Sequence, residues 1–272
     1  MTSLGESRVA AAAVPGCQHV LAGGTRCQDA VATKKTSDRV ILALADGHGD
    51  EEYVHSDEGA RIAVAVAIDV LDKMIDAAGP ASFRGEDASS PIKRRIAFEW
   101  NRRVKHHAKM LANAGGAELF EGGVTGDWDL AVKPYGCTLL AFARWEDSTL
   151  WFRLGDGEAL AADSTGARRM FAASDKSMGQ ATYSMSMRTC VEHMHVTVER
   201  LTCELALLAS DGVADQYDVE PSFEKEWGAR ILERIRSKGF TNMAMDLPRD
   251  LGTVARDGDD CSVALAWIPV NA

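Results

Sequence analysis

Four aspartates of this chain stand where apolar runs begin or end. Asp46 closes the run 39–45 and leads into Gly47, His48 and Gly49; Asp211 follows the run 205–209 through Ser210 and leads into Gly212. Asp29 and Asp259 stand just before the apolar segments that start at Ala30 and Cys261. Carboxylates are hard oxygen donors, and clustered ones suit Mg²⁺ or Mn²⁺. A glycine after the acid lets a backbone carbonyl approach an ion with no side chain in the way. His48, two residues from Asp46, is a candidate general acid, because an unperturbed imidazole titrates near pH 6.5. Each acid alone also has a plain reading, since Asp-Gly is a common turn dipeptide. The coincidence of Asp29, Asp46, Asp211 and Asp259 at strand ends is what points to a site.

The elements that must position these acids can be read from the pattern. Residues 28–34 and 39–45 are rich in Val, Ile, Leu and Ala and form a hairpin. With Ser37-Asp38 as a two-residue turn, Val31 faces Leu44, Thr33 faces Leu42 and Asp29 faces Asp46, while Ala30, Ala32, Ala43 and Ala45 take the other face. Two carboxylates opposite each other repel, and a divalent cation between them removes the cost. Antiparallel neighbours bring the end of one strand beside the start of the next, which would carry Asp211 and Asp259 to the same rim.

Ser56-Asp57-Glu58 reads as a helix start, with Ser56 as cap and helix over 57–78; a second helix runs from Pro91 to about Asn113. The second carries an apolar stripe and a basic face, read as solvated, with docking of an acidic partner as the lesser alternative. Strands are expected at 137–145, 149–154 and 158–162, the last two joined as a hairpin through Asp156-Gly157. Residues 173–190 form a long loop of the kind that often serves as a flap. Strands at 195–201 and 204–209, helices at 222–237 and 242–255, and a last strand at 261–268 complete the order. The fold class is α+β, one domain over 16–270, with residues 1–15 loosely ordered.

The 272 residues carry a net charge of −10, which disfavours a general nucleic-acid binder. Six cysteines show no C-x-x-C spacing, the N-terminal apolar run Ala10–Val14 is too short for a signal-peptide core, and no run approaches the length of a membrane span. The expectation is a cytoplasmic protein. There is no Cys-x₅-Arg, Asp-x-Asp-x-Thr, Walker A or H-E-x-x-H pattern. His193-x-His195, a possible metal pair, is placed on one face of a strand and set aside.

The segments 26–30, 46–49, 56–61, 136–138, 155–157, 210–212 and 259–260 occur in the order and approximate spacing of type 2C protein phosphatases, and Cys-Gln-Asp-Ala resembles the short bacterial branch of that family. The resemblance implies a four-layer α-β-β-α sandwich with two central, mostly antiparallel sheets. It implies hydrolysis of phosphoserine and phosphothreonine in proteins by a metal-activated water, without a phospho-enzyme. Two Mg²⁺ or Mn²⁺ ions are implied, with Asp46 bridging, the Gly47 carbonyl, Asp211 and Asp259 as ligands, and Asp29 in or beside the second ion's shell. Asp156 resembles the acid near a third, weaker ion, with the hairpin turn as an equal alternative. His48 would be the proton donor, and Arg26, Thr138 and His19 would line the substrate site. Gly24 stands where many members have a phosphate-holding Arg, and Gln28 where many have a Glu. The partner would be a phosphoprotein made by a Ser/Thr kinase. A phosphatase-like binding module, or a hydrolase of small phosphoesters, are the alternatives.

Overall fold

In the computed structural model, residues 4–17, 26–78, 89–116, 131–172, 182–200, 203–217 and 222–269 are described. Among the described residues ten strands form two antiparallel sheets of five. In chain order they are β1 (Arg8–Val14), β2 (Ala30–Lys35), β3 (Arg39–Ala45), β4 (Leu139–Trp145), β5 (Ser148–Leu154), β6 (Glu158–Asp163), β7 (Gly166–Arg169), β8 (His195–Glu199), β9 (Leu205–Ala209) and β10 (Cys261–Trp267). One sheet has the order β1-β10-β9-β6-β7, the other β2-β3-β4-β5-β8. The long helices are α1 (Ser56–Ala78), α2 (Ser89–Leu111), α3 (Arg230–Lys238) and α4 (Phe240–Val254).

Side-chain alternation along a strand explains the layering. On β3, Ile41, Ala43 and Ala45 face a core shared with α1 and α2. Val40, Leu42 and Leu44 face the other way, into the core between the sheets. There the second sheet supplies bulk, with Phe142 and Trp151 in ring contact at 4.5 Å. The first sheet answers with Ala159, Ala161, Ala206, Ala264 and Ala266, and large-against-small packing fills the space without overlap. A third core lies between the first sheet and α3 and α4. The result is the expected four-layer sandwich. On α1, Ala60, Ala63 and Ala67 face the second sheet, and Gly59 sits so close to the Tyr135 carbonyl that a Cβ there would lie 2.0 Å from it.

The first hairpin has the expected register: Ala30 pairs Ala45, Val31 pairs Leu44, Thr33 pairs Leu42 and Lys35 pairs Val40. Other expectations change. The N-terminal segment is not loose, because Arg8–Val14 pairs residue for residue with β10; its alanines fit an edge strand beside an alanine-bearing neighbour. The hairpin expected through Asp156-Gly157 does not exist. β5 pairs with β4 and β8, whereas β6 pairs with β7 and β9, so residues 155–157 carry the chain from one sheet to the other. Gly155 makes that passage at φ +98°, a region open to glycine. Ser56 does not cap α1 through its hydroxyl, which is buried without a hydrogen-bond partner; the Asp57 carboxylate instead accepts from the Glu58 N–H at 2.8 Å.

Candidate metal centre

The acids gather where the two sheets end together. One step beyond the Ala30–Ala45 pair, the Asp29 and Asp46 carboxyls touch, and Asp211 reaches Asp46 from the other sheet. Asp211 is placed by the β9–β10 ladder. The Ser210 N–H donates to the Ser262 carbonyl at 3.0 Å, and the Ser262 N–H donates to Ser210 Oγ at 2.9 Å. Gly212 is required just beyond, since a Cβ there would lie 2.1 Å from the Asp260 carbonyl oxygen. Asp46 is held by Thr138 in both directions: its N–H donates to Thr138 Oγ1 at 3.0 Å, and its carbonyl accepts the Thr138 N–H at 2.8 Å.

Electrostatics make this cluster costly when no cation is present. Burial, and then Asp29 and Asp211, push the Asp46 carboxyl well above the usual range. Asp29 is pushed up to about 7, first by burial, with the Asp260 charge adding to the rise. Both Asp29 carboxylate oxygens and the Gln28 amide oxygen are buried with no hydrogen-bond partner among the described residues. Such acceptors want a cation or water, and an all-oxygen set suits Mg²⁺ or Mn²⁺. The residues therefore fit divalent ions. Among the described residues no three acidic, His or Cys side chains are already closed into a cage; they are repelling neighbours.

Asp259 and Asp260 divide their work in a way the doublet did not reveal. Asp260 is buried and accepts the Gly16 N–H at 2.8 Å on one oxygen and the Gln28 N–H at 2.5 Å on the other. It ties the start of β10 to both segments. Asp259 is exposed, with one oxygen accepting the Asp260 N–H at 2.8 Å. All four acids, Asp29, Asp211, Asp259 and Asp260, act on the Cys261 thiol, which burial in the first place pushes up to about 12.

His48 stands beside the cluster. Its N–H donates to the Gly136 carbonyl at 3.2 Å and its ring meets Tyr53 edge-on at 4.8 Å. Burial lowers its pKa, while Asp156 and Asp50 pull it back up. A Cβ at Gly47 would lie 2.8 Å from the Gln28 carbonyl oxygen and 3.0 Å from Ser56, so only glycine fits. Asp156 accepts the Thr182 hydroxyl at 2.6 Å. Arg26 is exposed and pairs with Asp57 at 3.3 Å. His19 and Gly24 lie outside the described residues. His193 and His195 do not share a strand: His193 closes a short helix, Cys190–His193, and stacks on Tyr183 at 3.7 Å, while His195 opens β8 opposite Arg153. Sequence reasoning missed Ser210, Ser262, Tyr53 and Asp260. Asp260 left a signal as half of an acidic doublet, and Ser210 as the first residue of the Ser-Asp-Gly segment.

The α-β-β-α sandwich brings acids from the ends of both sheets together, an arrangement that a family comparison can place. The family model described as Protein phosphatase 2C matches residues 16–251, and the chain belongs to that family, metal-dependent serine/threonine phosphatases. Among solved structures, a bacterial serine phosphatase superposes with TM-score 0.62 at 16% identity, covering 98% of this chain and 99% of that one. The serine/threonine phosphatase Stp1 of Staphylococcus aureus gives 0.60 at 17% identity, covering 99% and 96%. The catalytic domain of the serine/threonine phosphatase PstP, solved with two manganese ions, gives 0.58 at 15% identity, covering 96% and 97%. At these identities the likeness is one of fold. A comparison with curated proteins finds no match.

Proposed function

We propose that this chain dephosphorylates phosphoserine and phosphothreonine in proteins with two Mg²⁺ or Mn²⁺ ions, held by Asp46, Asp211, Asp259 and the Gly47 carbonyl, with Asp29 and Gln28 on the second ion. The observation that carries the reading is the juxtaposition of buried Asp29 with half-buried Asp46 and Asp211, with the Asp29 and Gln28 side-chain oxygens orphaned beside it. When bound, such ions polarise a phosphoryl oxygen and acidify a water.

The chain's own residues supply the rest. Thr138 holds the Asp46 backbone from two sides. The Asp260 carboxylate accepts the N–H groups of Gly16 and Gln28, which fixes Gln28 and therefore Asp29. His48 gives a proton to the departing serine or threonine oxygen; burial lowers its pKa, and Asp156 and Asp50 partly offset that. Tyr53 packs against the imidazole and limits its rotation. Asp156 serves a third, weaker ion, a role that its position between the sheets and the loss of the hairpin-turn alternative support. Arg26 and His19 take part in holding the phosphoprotein. The six free cysteines suit a reducing compartment, which supports action in the cytoplasm; no described helix is long and apolar enough to cross a membrane.

The test is hydrolysis of an aryl phosphate and of a phosphothreonine peptide, with Mn²⁺ and with a chelator. Activity should need Mn²⁺ and should be abolished by Asp46→Asn or Asp211→Asn. Activity that survives both substitutions, or a trapped phosphoryl-enzyme, overturns the assignment.

A further inference from the structure

Away from the carboxylates, two grooves on the described surface are lined by the long helices. One, of about 530 Å³, lies along α3 and α4. Its arginines are already paired, Arg230 with Glu226 and Arg234 and Arg249 with Asp246 and Asp250, which leaves Lys238 as its one lining cation without an ion pair among the described residues. The other, of about 460 Å³, lies between α1 and α2, with Val70, Met74 and Ala77 in its floor and Lys73, Arg95, Arg102 and Arg103 on its rim.

The second groove is not balanced. Arg95 and Arg102 share one acid, Glu99, and Arg103 takes Asp69. Lys73 has no ion pair among the described residues. The helix behind that rim, α2, carries seven Lys or Arg against one Glu, in a chain whose net charge is −10. A basic face of this kind is ordinarily just solvated, but here basic side chains rim a groove with an apolar floor, and an aromatic lies close by. Phe98 is 59% exposed, and it stands one turn from both Arg95 and Arg102 on the same helix.

We propose that this groove docks an acidic segment of the substrate protein, one in which Asp or Glu residues are interrupted by apolar side chains. The proposal rests on the phosphatase reading and adds a recognition site remote from the reaction. An apolar floor selects a peptide over other polyanions, because a bilayer surface or a rigid duplex meets the rim and leaves the floor empty. The geometry also sets a spacing. The first residue of α1, Ser56, lies against Gly47, and Lys73 is on the same helix, about 25 Å further along at about 1.5 Å per residue. An extended chain covers that distance in about eight residues. Substrates should carry the acidic segment at least that far from the phosphorylated residue.

The first readout is binding, independent of turnover. A fluorescent, unphosphorylated peptide of Asp and Glu alternating with Leu is titrated with the full chain and Mn²⁺ and followed by anisotropy. Binding should weaken at least about tenfold in Lys73→Glu/Arg102→Glu and change little in Lys225→Glu/Lys238→Glu, a double variant of equal charge change on another face. The second readout is kinetic. A phosphothreonine peptide with the acidic segment tethered by a flexible linker should show a KM about tenfold below that of the segment-free peptide, with kcat unchanged, and Lys73→Glu/Arg102→Glu should erase the difference. Aryl phosphate hydrolysis should be unaffected. Absent binding, equal losses in the two double variants, or displacement by duplex DNA or anionic vesicles as readily as by the peptide overturns the docking proposal. Failure of aryl phosphate hydrolysis alone overturns the phosphatase reading and leaves the binding result standing.

Discussion

Thr138 shows how much of a site can depend on a residue that does no chemistry. Its hydroxyl accepts the Asp46 N–H and its own N–H donates to the Asp46 carbonyl. Thr138→Val keeps the volume and orphans one buried N–H, so we expect a loss of about 1–3 kcal/mol in stability, measured by denaturant unfolding. We also expect the Mn²⁺ concentration for half-maximal activity to rise while activity at saturating Mn²⁺ largely recovers. An unchanged Mn²⁺ requirement would show that Thr138 does not orient Asp46. The facing of Asp29 and Asp46 was legible from residue types alone, because the alternation of a two-strand ladder carries it. Thr138 was legible only as a neighbour, because its partner lies 92 positions away. The division between Asp259 and Asp260 was not legible, because two adjacent aspartates look alike until the backbone decides which of them points into protein N–H groups.

Among the elements, α1 has the tightest tolerance. A Cβ at Gly59 would lie 2.0 Å from the Tyr135 carbonyl oxygen. Tyr135 precedes Gly136, whose carbonyl accepts the His48 N–H. Gly59→Ala should therefore cost about 1–3 kcal/mol and reduce activity at saturating Mn²⁺. Gly252→Ala in α4, where a new Cβ meets nothing within 4 Å, should be neutral or gain up to about 1 kcal/mol. Thermal unfolding of the two variants separates the cases, and equal effects would refute the contact argument. The helices were readable because their apolar stripes repeat over many turns. The link between β5 and β6 was misread because Asp-Gly favours a hairpin locally, whereas both strands are buried on both faces and could pair equally well elsewhere. Which neighbour each strand takes is set by sheet packing.

For the molecule as a whole, the acids sit where two sheets meet, so their repulsion acts on the sandwich itself. Asp29 keeps its proton in the folded state up to about 7, whereas an unfolded chain has given it up by about pH 4. The folded state thus binds more protons between those values, and stability falls as pH rises through the window. His48, His55 and His195 have lowered pKa values and act in the opposite sense, but only below about 6.5, where the unfolded imidazole titrates. Chelated protein should therefore lose thermal stability between pH 6.5 and pH 8, and Mn²⁺ should raise Tm more at pH 8 than at pH 6.5. Asp29→Asn should flatten the chelated profile. A chelated Tm that climbs across this interval, or a Mn²⁺ effect independent of pH, would show that the acids are not repelling in the fold. The same reasoning predicts that Asp46→Asn, while inactive, is more heat-resistant than the natural chain without metal.

By itself the sequence determined the first hairpin and its register, the two helices that back it, the four-layer class through a family likeness, and the oxygen-rich character of the site. These follow from short-range rules: strand alternation, helical spacing, and the preference of hard cations for carboxylates. The tertiary structure alone decided that Arg8–Val14 is an edge strand, that residues 155–157 pass between sheets rather than turn back, and that Asp260 rather than Asp259 is locked into backbone N–H groups. Each of those choices depends on contacts between residues distant in the chain, where local propensity is indifferent and packing selects.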